Sequence, residues 1–176
     1  MRDAQEQLPR LIRRLILATA NGLERVDFRA GEGVQLGGWD GITKATVATP
    51  WVPCGTAGWE MGTTHKVKGK ADEDYKGRSA SPGPLDIGQT TFVFITPRRW
   101  GSKAAWQAAR TAEGKWKDVR VLDADDLETW LETAPSVHVW FSSLIGVVPD
   151  GAIDLDTLWR EWSQATSPPI SPALLT

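Results

Sequence analysis

Phe92-Val93-Phe94-Ile95, followed by Ser102–Ala112 (SKAAWQAARTA) and Val119-Arg120-Val121-Leu122, decides the fold class. A continuous apolar run of four suits a strand covered on both faces. The Ala-rich segment behind it has helical composition, with Ser102 placed as its N-cap. Val119–Leu122 then reads as a second buried strand. Strand, helix, strand within about thirty residues requires a crossover and parallel pairing. The chain therefore belongs to the α/β class.

Working outward, Leu127, Trp130 and Leu131 fall at helical spacing after Asp123 or Asp125 as cap. Residues 137–145 (VHVWFSSLI) fit either helix or strand. Leu155–Ala165 is an amphipathic helix carrying Leu158, Trp159 and Trp162. Upstream, residues 7–20 place Leu8, Leu11, Ile12 and Leu15 on one helical face. Short alternating pieces follow at Val26/Phe28, Val34/Leu36 and 42–47, separated by glycines, and a further strand is expected over 59–63. Residues 70–78 (KADEDYKGR) read as a charged helix and 81–88 as a loop. The antiparallel-looking first half and parallel second half predict a central mixed sheet between helical layers, a three-layer sandwich.

The chain has 176 residues, a formal net charge of −2, one Cys and two His. One domain over 1–165 is expected, followed by a Pro-rich linker over 166–176 that leads into a further C-terminal domain. A single Cys54 excludes an internal disulfide and a cysteine-rich zinc site, and points to the cytoplasm. No apolar run reaches membrane-spanning length. The near-neutral balance argues against a nonspecific nucleic-acid coat while permitting a local basic patch. GEGVQLGG (31–38) lacks the dinucleotide spacing, and no P-loop or G-x-S-x-G elbow is present. Carboxylate, metal and lysine chemistry is what remains.

Two segments echo each other: Gly38-Trp39-Asp40-Gly41 and Gly58-Trp59-Glu60-Met61-Gly62. Each sets a carboxylate directly after a Trp. Because neighbours on a strand face opposite ways, Trp39 and Trp59 are expected in the core with Asp40 and Glu60 together on the other side. Two carboxylates at one sheet edge make a hard-oxygen site for Mg²⁺ or Mn²⁺, which retains waters for a nucleophile. Lys68 and Lys70 follow closely, and Lys70, Asp74 and Arg78 form one helical stripe. A lysine beside metal-bound water can polarise it, and an arginine can grip a phosphate. Arg98 and Arg99, at the end of the 92–95 strand, are further phosphate contacts by position. Surface charge of this kind is also common without function.

The ordered set of Asp40, Glu60, a lysine, a helix and a buried strand resembles the PD-(D/E)xK, or restriction-endonuclease-like, nuclease superfamily over residues 8–132. The resemblance implies a core of helix, three meandering strands, helix and strand. It assigns metal binding to Asp40 and Glu60. The motif lysine would fall at position 62, which is Gly62, so Lys70 on the next helix, with Lys68 in reserve, takes that role. The runs GWDG, GWEMGT, KADEDYKGR, FVFITPRRW and DADDLETWLE further resemble N-terminal effector domains of bacterial multidomain defence NTPases. That implies a metal-dependent endonuclease acting on double-stranded DNA in antiviral defence, under a C-terminal NTPase or sensor, with homo-oligomerisation left open. The alternative is a nuclease fold without catalysis that binds DNA or protein. A Trp-rich sugar-binding module is the third reading.

Overall fold

A computed structural model describes residues 2–28, 38–147, 153 and 155–165. The Val34/Leu36 piece, most of the glycine run and the 166–176 segment lie outside the described residues. By its internal contacts the chain divides into two compact units, Met1–Thr133 and Ala134–Thr176.

The first unit runs α1 (Arg2–Thr19), β1 (Leu23–Phe28), β2 (Gly41–Ala45), β3 (Gly55–Met61), α2 (Val67–Ala80), β4 (Thr90–Ile95), α3 (Lys103–Ala112), β5 (Asp118–Leu122) and α4 (Ala124–Glu132). The strands form one open five-stranded sheet in chain order. β1, β2 and β3 form an antiparallel meander, and β3, β4 and β5 run parallel. The mixed sheet expected from the sequence is therefore present. α1 begins at Arg2 rather than at residue 7, and β3 begins at Gly55 rather than at Trp59.

Both parallel connections step the same way across the sheet. Right-handed crossovers then put α2 and α3 on the same face. Val67, Ala71 and Tyr75 of α2 and Trp106 of α3 accordingly share one cluster with Ile42, Phe92, Phe94, Val119 and Val121. The pleat turns Trp59, Val93 and Ile95 to the opposite face, and all three are fully buried. α1 and α4 carry other buried apolar side chains, Leu11, Ile12, Leu15, Ile16, Leu127 and Trp130 among them. These two helices are tied by a hydrogen bond from Trp130 Nε1 to Thr19 Oγ1 at 2.8 Å.

The abundance of tryptophan has a structural reason. A buried indole contributes a large apolar area but needs a partner for its N–H. Trp39 donates to the Pro82 carbonyl, Trp59 to Thr43, Trp106 to Asp72 and Trp116 to Ser79, all within 2.9 Å. Each bond joins segments far apart in the chain, so the Trp residues fix how elements dock as well as filling the core.

Two caps differ in kind. Asp123 forms a reciprocal capping box with Asp126 at the start of α4, and Lys103 Nζ lies 2.6 Å from each acid. Ser102 occupies the cap position of α3, but its hydroxyl makes no cap bond and instead accepts from Trp100 Nε1.

The second unit contains α5 (Pro135–Leu144) and α6 (Leu155–Gln164). The ambiguous 137–145 segment is thus helical, with Pro135 supplying a preset φ in the first turn. The Trp159 and Trp162 rings of α6 lie 5.5 Å apart. Among the described residues no helix is long and apolar enough to cross a membrane.

Candidate functional site

The antiparallel β2–β3 register pairs Gly41 with Trp59. One step further, it sets Asp40 opposite Glu60. This is how two acids twenty residues apart in the chain come to share one sheet edge. The Met61 N–H donates to Asp40 Oδ2 at 2.8 Å, which holds Asp40 against the end of β3. Because β3 and β4 are parallel, this edge also receives the end of β4 and the Thr96–Arg98 turn.

The tryptophans before the acids do not share a face. Trp59 packs beside Phe28 on one side. Trp39 lies on the other, the Glu60 side, against Phe92 and Trp116. Gly58 makes this arrangement possible: a Cβ there would sit 2.7 Å from the Trp39 ring. The alternation argument failed at Trp39 because that residue precedes β2 and crosses over a neighbouring strand.

α2 brings the remaining groups. Val67, Ala71 and Tyr75 are its buried stripe. Lys70, Asp74 and Arg78 form the adjacent stripe, rotated toward the acids. The Lys70 stem lies over Gly62, where a Cβ would come 2.9 Å from Lys70 Cγ and 2.7 Å from the Phe94 ring. The missing side chain at position 62 is therefore the space through which Lys70 passes. Its ammonium sits 2.6 Å from Asp74 Oδ1 and within the field of Asp40 and Glu60. Arg78 donates through Nε to the Glu60 carboxyl and through Nη2 to the Gly38 carbonyl, with its guanidinium 5.0 Å from the centre of the Trp39 ring.

The electrostatics are those of crowded acids. Burial, and then the charge of Asp40, push Glu60 up to about 8 against the pull of Arg78. Burial also raises Asp40, although the Met61 N–H, Lys70, the Glu60 hydrogen bond and Arg78 oppose it. Near neutral pH the folded Glu60 carboxyl accordingly favours its protonated form. Asp74 is raised by burial, with Lys70 working against that shift. Burial works against the charge on Lys70, but the Asp74 hydrogen bond and the surrounding carboxylates outweigh it, and its pKa rises.

The other sequence-derived residues are placed differently. Lys68 points away from the acids and pairs with Asp72 at 2.7 Å on the exposed side of α2. Arg98 reaches the Thr63 carbonyl at 3.3 Å and so stands at the same edge as the acids. Arg99 is exposed and pairs with Asp125 at 2.8 Å. Arg78 belongs to the acid cluster itself. Asp74, which the sequence presents only as part of a stripe, is a member of the site. Its spacing of four from Lys70 was the available signal.

Among the described residues, no group of three or more His, Cys, Asp and Glu side chains is arranged to hold a metal ion. Mg²⁺, however, keeps several waters and is commonly held by one or two carboxylates. Asp40 and Glu60 supply that donor set. Burial raises both carboxyls in spite of Arg78, and one buried oxygen nearby, Asp74 Oδ2, has no hydrogen-bond partner. The residues present fit a small divalent ion. Comparison with protein-family models, curated proteins and solved structures finds no match to this chain.

Proposed function

We propose that the Met1–Thr133 unit is a restriction-endonuclease-like nuclease module that hydrolyses phosphodiester bonds of double-stranded DNA. The observation that carries this reading is the convergence of Asp40 and Glu60 beside a lysine threaded over Gly62. The order α1, β1, β2, β3, α2, β4 supports the core that the resemblance implies, with α2 and α3 on one face of the sheet and α1 and α4 read as the third layer of a sandwich.

In this reading Asp40 and Glu60 hold Mg²⁺ or Mn²⁺, which when bound supplies charge neutralisation for the phosphate and acidifies a coordinated water. The Lys70 ammonium orients the attacking water from the α2 side. Arg98, at the end of β4, grips a phosphate of the same strand, and Arg99 adds a second contact after exchanging its exposed acidic partner. Arg78 holds Glu60 in place and rests on Trp39, so its role is to orient the acid rather than to meet DNA. Lys68 is too far round the helix to take the lysine role. A defence setting, with cleavage controlled by a C-terminal NTPase or sensor of the same chain, follows from the resemblance.

The test is conversion of supercoiled plasmid to nicked and linear forms with Mg²⁺ or Mn²⁺, comparing wild type with Asp40→Ala and Lys70→Met. Metal-dependent cleavage that is lost in Asp40→Ala and strongly slowed but still measurable in Lys70→Met supports the proposal. The second reading, a non-catalytic binding module, is favoured by one observation, the guanidinium already seated on Glu60. It predicts duplex binding without cleavage under either ion.

A further inference from the structure

Asp74 is buried in an unusual way for a helix-surface acid. Its side chain is 9 % exposed, against 33 % for its partner Lys70. One carboxylate oxygen takes the Lys70 ammonium at 2.6 Å, and the other is buried with no hydrogen-bond partner. An i,i+4 pair on a solvated helix needs no such burial. A half-satisfied buried carboxylate costs stability, and an apolar residue would serve packing better. Asp74 also faces like charges, since Asp40 and Glu73 repel it and it in turn repels Glu60.

Lysine has four rotatable bonds and a compact charge that will move to the strongest acid within reach. Lys70 passes over Gly62 toward Asp40 and Glu60, and among the described residues its ammonium donates to the Asp74 carboxylate. We infer that Asp74 is a positioning residue: it draws the Lys70 ammonium one turn up α2, holding it beside the Asp40–Glu60 pair and off it. The ammonium then stays off Asp40 and off Glu60, which keeps its Arg78 partner, while remaining beside the pair, where it can address a water. The purpose of this device rests on the phosphodiester-cleaving reading, whereas the geometry does not.

Two arms test it on the full chain. In the first, lysine is labelled with ¹⁵N and the side-chain NH₃⁺ resonance of Lys70 is assigned with Lys70→Arg. A held ammonium gives an observable resonance in wild type, and Asp74→Asn removes or shifts it while the fold, followed by circular dichroism, persists. In the second, plasmid cleavage is compared across Asp74→Asn, Lys70→Met and the double variant. Displacement of a reacting group by about 1 Å can cost on the order of 100-fold. Asp74→Asn is therefore expected to slow cleavage by about 10–100-fold, with no further loss when added to Lys70→Met, since a residue acting through another is not additive with it. An unchanged Lys70 resonance in Asp74→Asn overturns the inference, as does full additivity in the double variant. Absence of cleavage by wild type overturns the nuclease reading alone, and the NMR arm still decides whether Asp74 positions Lys70.

Discussion

Replacing Glu60 by Gln should stabilise the protein near neutral pH. The folded carboxyl titrates at about 8, against an ordinary value of 4.5. Between those values the folded state holds a proton that the unfolded chain has released. Stability therefore falls as pH rises through that window and is greatest below it. Near pH 7 the distance from 4.5, at about 1.36 kcal/mol per pH step, amounts to roughly 3 kcal/mol. Gln keeps an oxygen for Arg78 and an N–H₂ for Asp40 while removing the ionisable group. Allowing for relaxation around Arg78, the expected gain is about 1–3 kcal/mol, vanishing at mildly acid pH. Urea denaturation of wild type and variant across pH 5 to 8.5, followed by Trp fluorescence, measures it. A Glu60→Gln variant that is less stable throughout, with a pH dependence parallel to wild type, would refute the crowded-acid account.

Gly62→Ala forces a Cβ against Lys70 Cγ and the fully buried Phe94 ring. It should cost about 1–3 kcal/mol, read from the denaturation midpoint, and displace the lysine enough to suppress cleavage. Asp72, held down to about 2 against its own burial by hydrogen bonds from Lys68, Trp106 and Arg110, contributes stability that is complete above its ordinary value of 3.8 and lost as pH falls toward 2. Asp72→Asn should cost about 0.5–1.5 kcal/mol near neutrality, after discounting for solvent, and the difference should close in acid. Trp130→Phe removes the indole bond to Thr19 that ties α4 to α1. A loss of about 1–2 kcal/mol in thermal or urea unfolding is expected.

The sheet was legible where burial made the sequence simple. Phe92–Ile95 is covered on both faces and Val119, Val121 and Leu122 are buried around a partly exposed Arg120, so hydrophobicity announces both strands, and the helix between them fixes their parallel pairing. The meeting of Asp40 and Glu60 could be read because the Gly-Trp-acid echo sets one acid just before β2 and the other near the end of β3, ends that an antiparallel pair brings together. The preference for Lys70 over Lys68 could be read from its i, i+4, i+8 stripe with Asp74 and Arg78, and α2 turns that stripe toward the acids. Two features were not legible. The face occupied by Trp39 depends on the absence of a side chain at Gly58, a contact across strands that leaves no periodicity. Ser102 has the chemistry of a cap but is taken by Trp100, a competition between local partners that propensity does not weigh.

The most direct test of the Asp40–Glu60 site is calorimetric titration with Mn²⁺ near neutral pH, in two buffers of different ionisation heat. Glu60, pushed up to about 8, holds a proton near neutral pH that a bound cation must displace. Wild type should therefore bind one ion with release of a fraction of a proton, and Asp40→Ala should bind none in the same range. Equal binding by wild type and Asp40→Ala, or no binding by wild type at millimolar Mn²⁺, would contradict a metal site on these two acids.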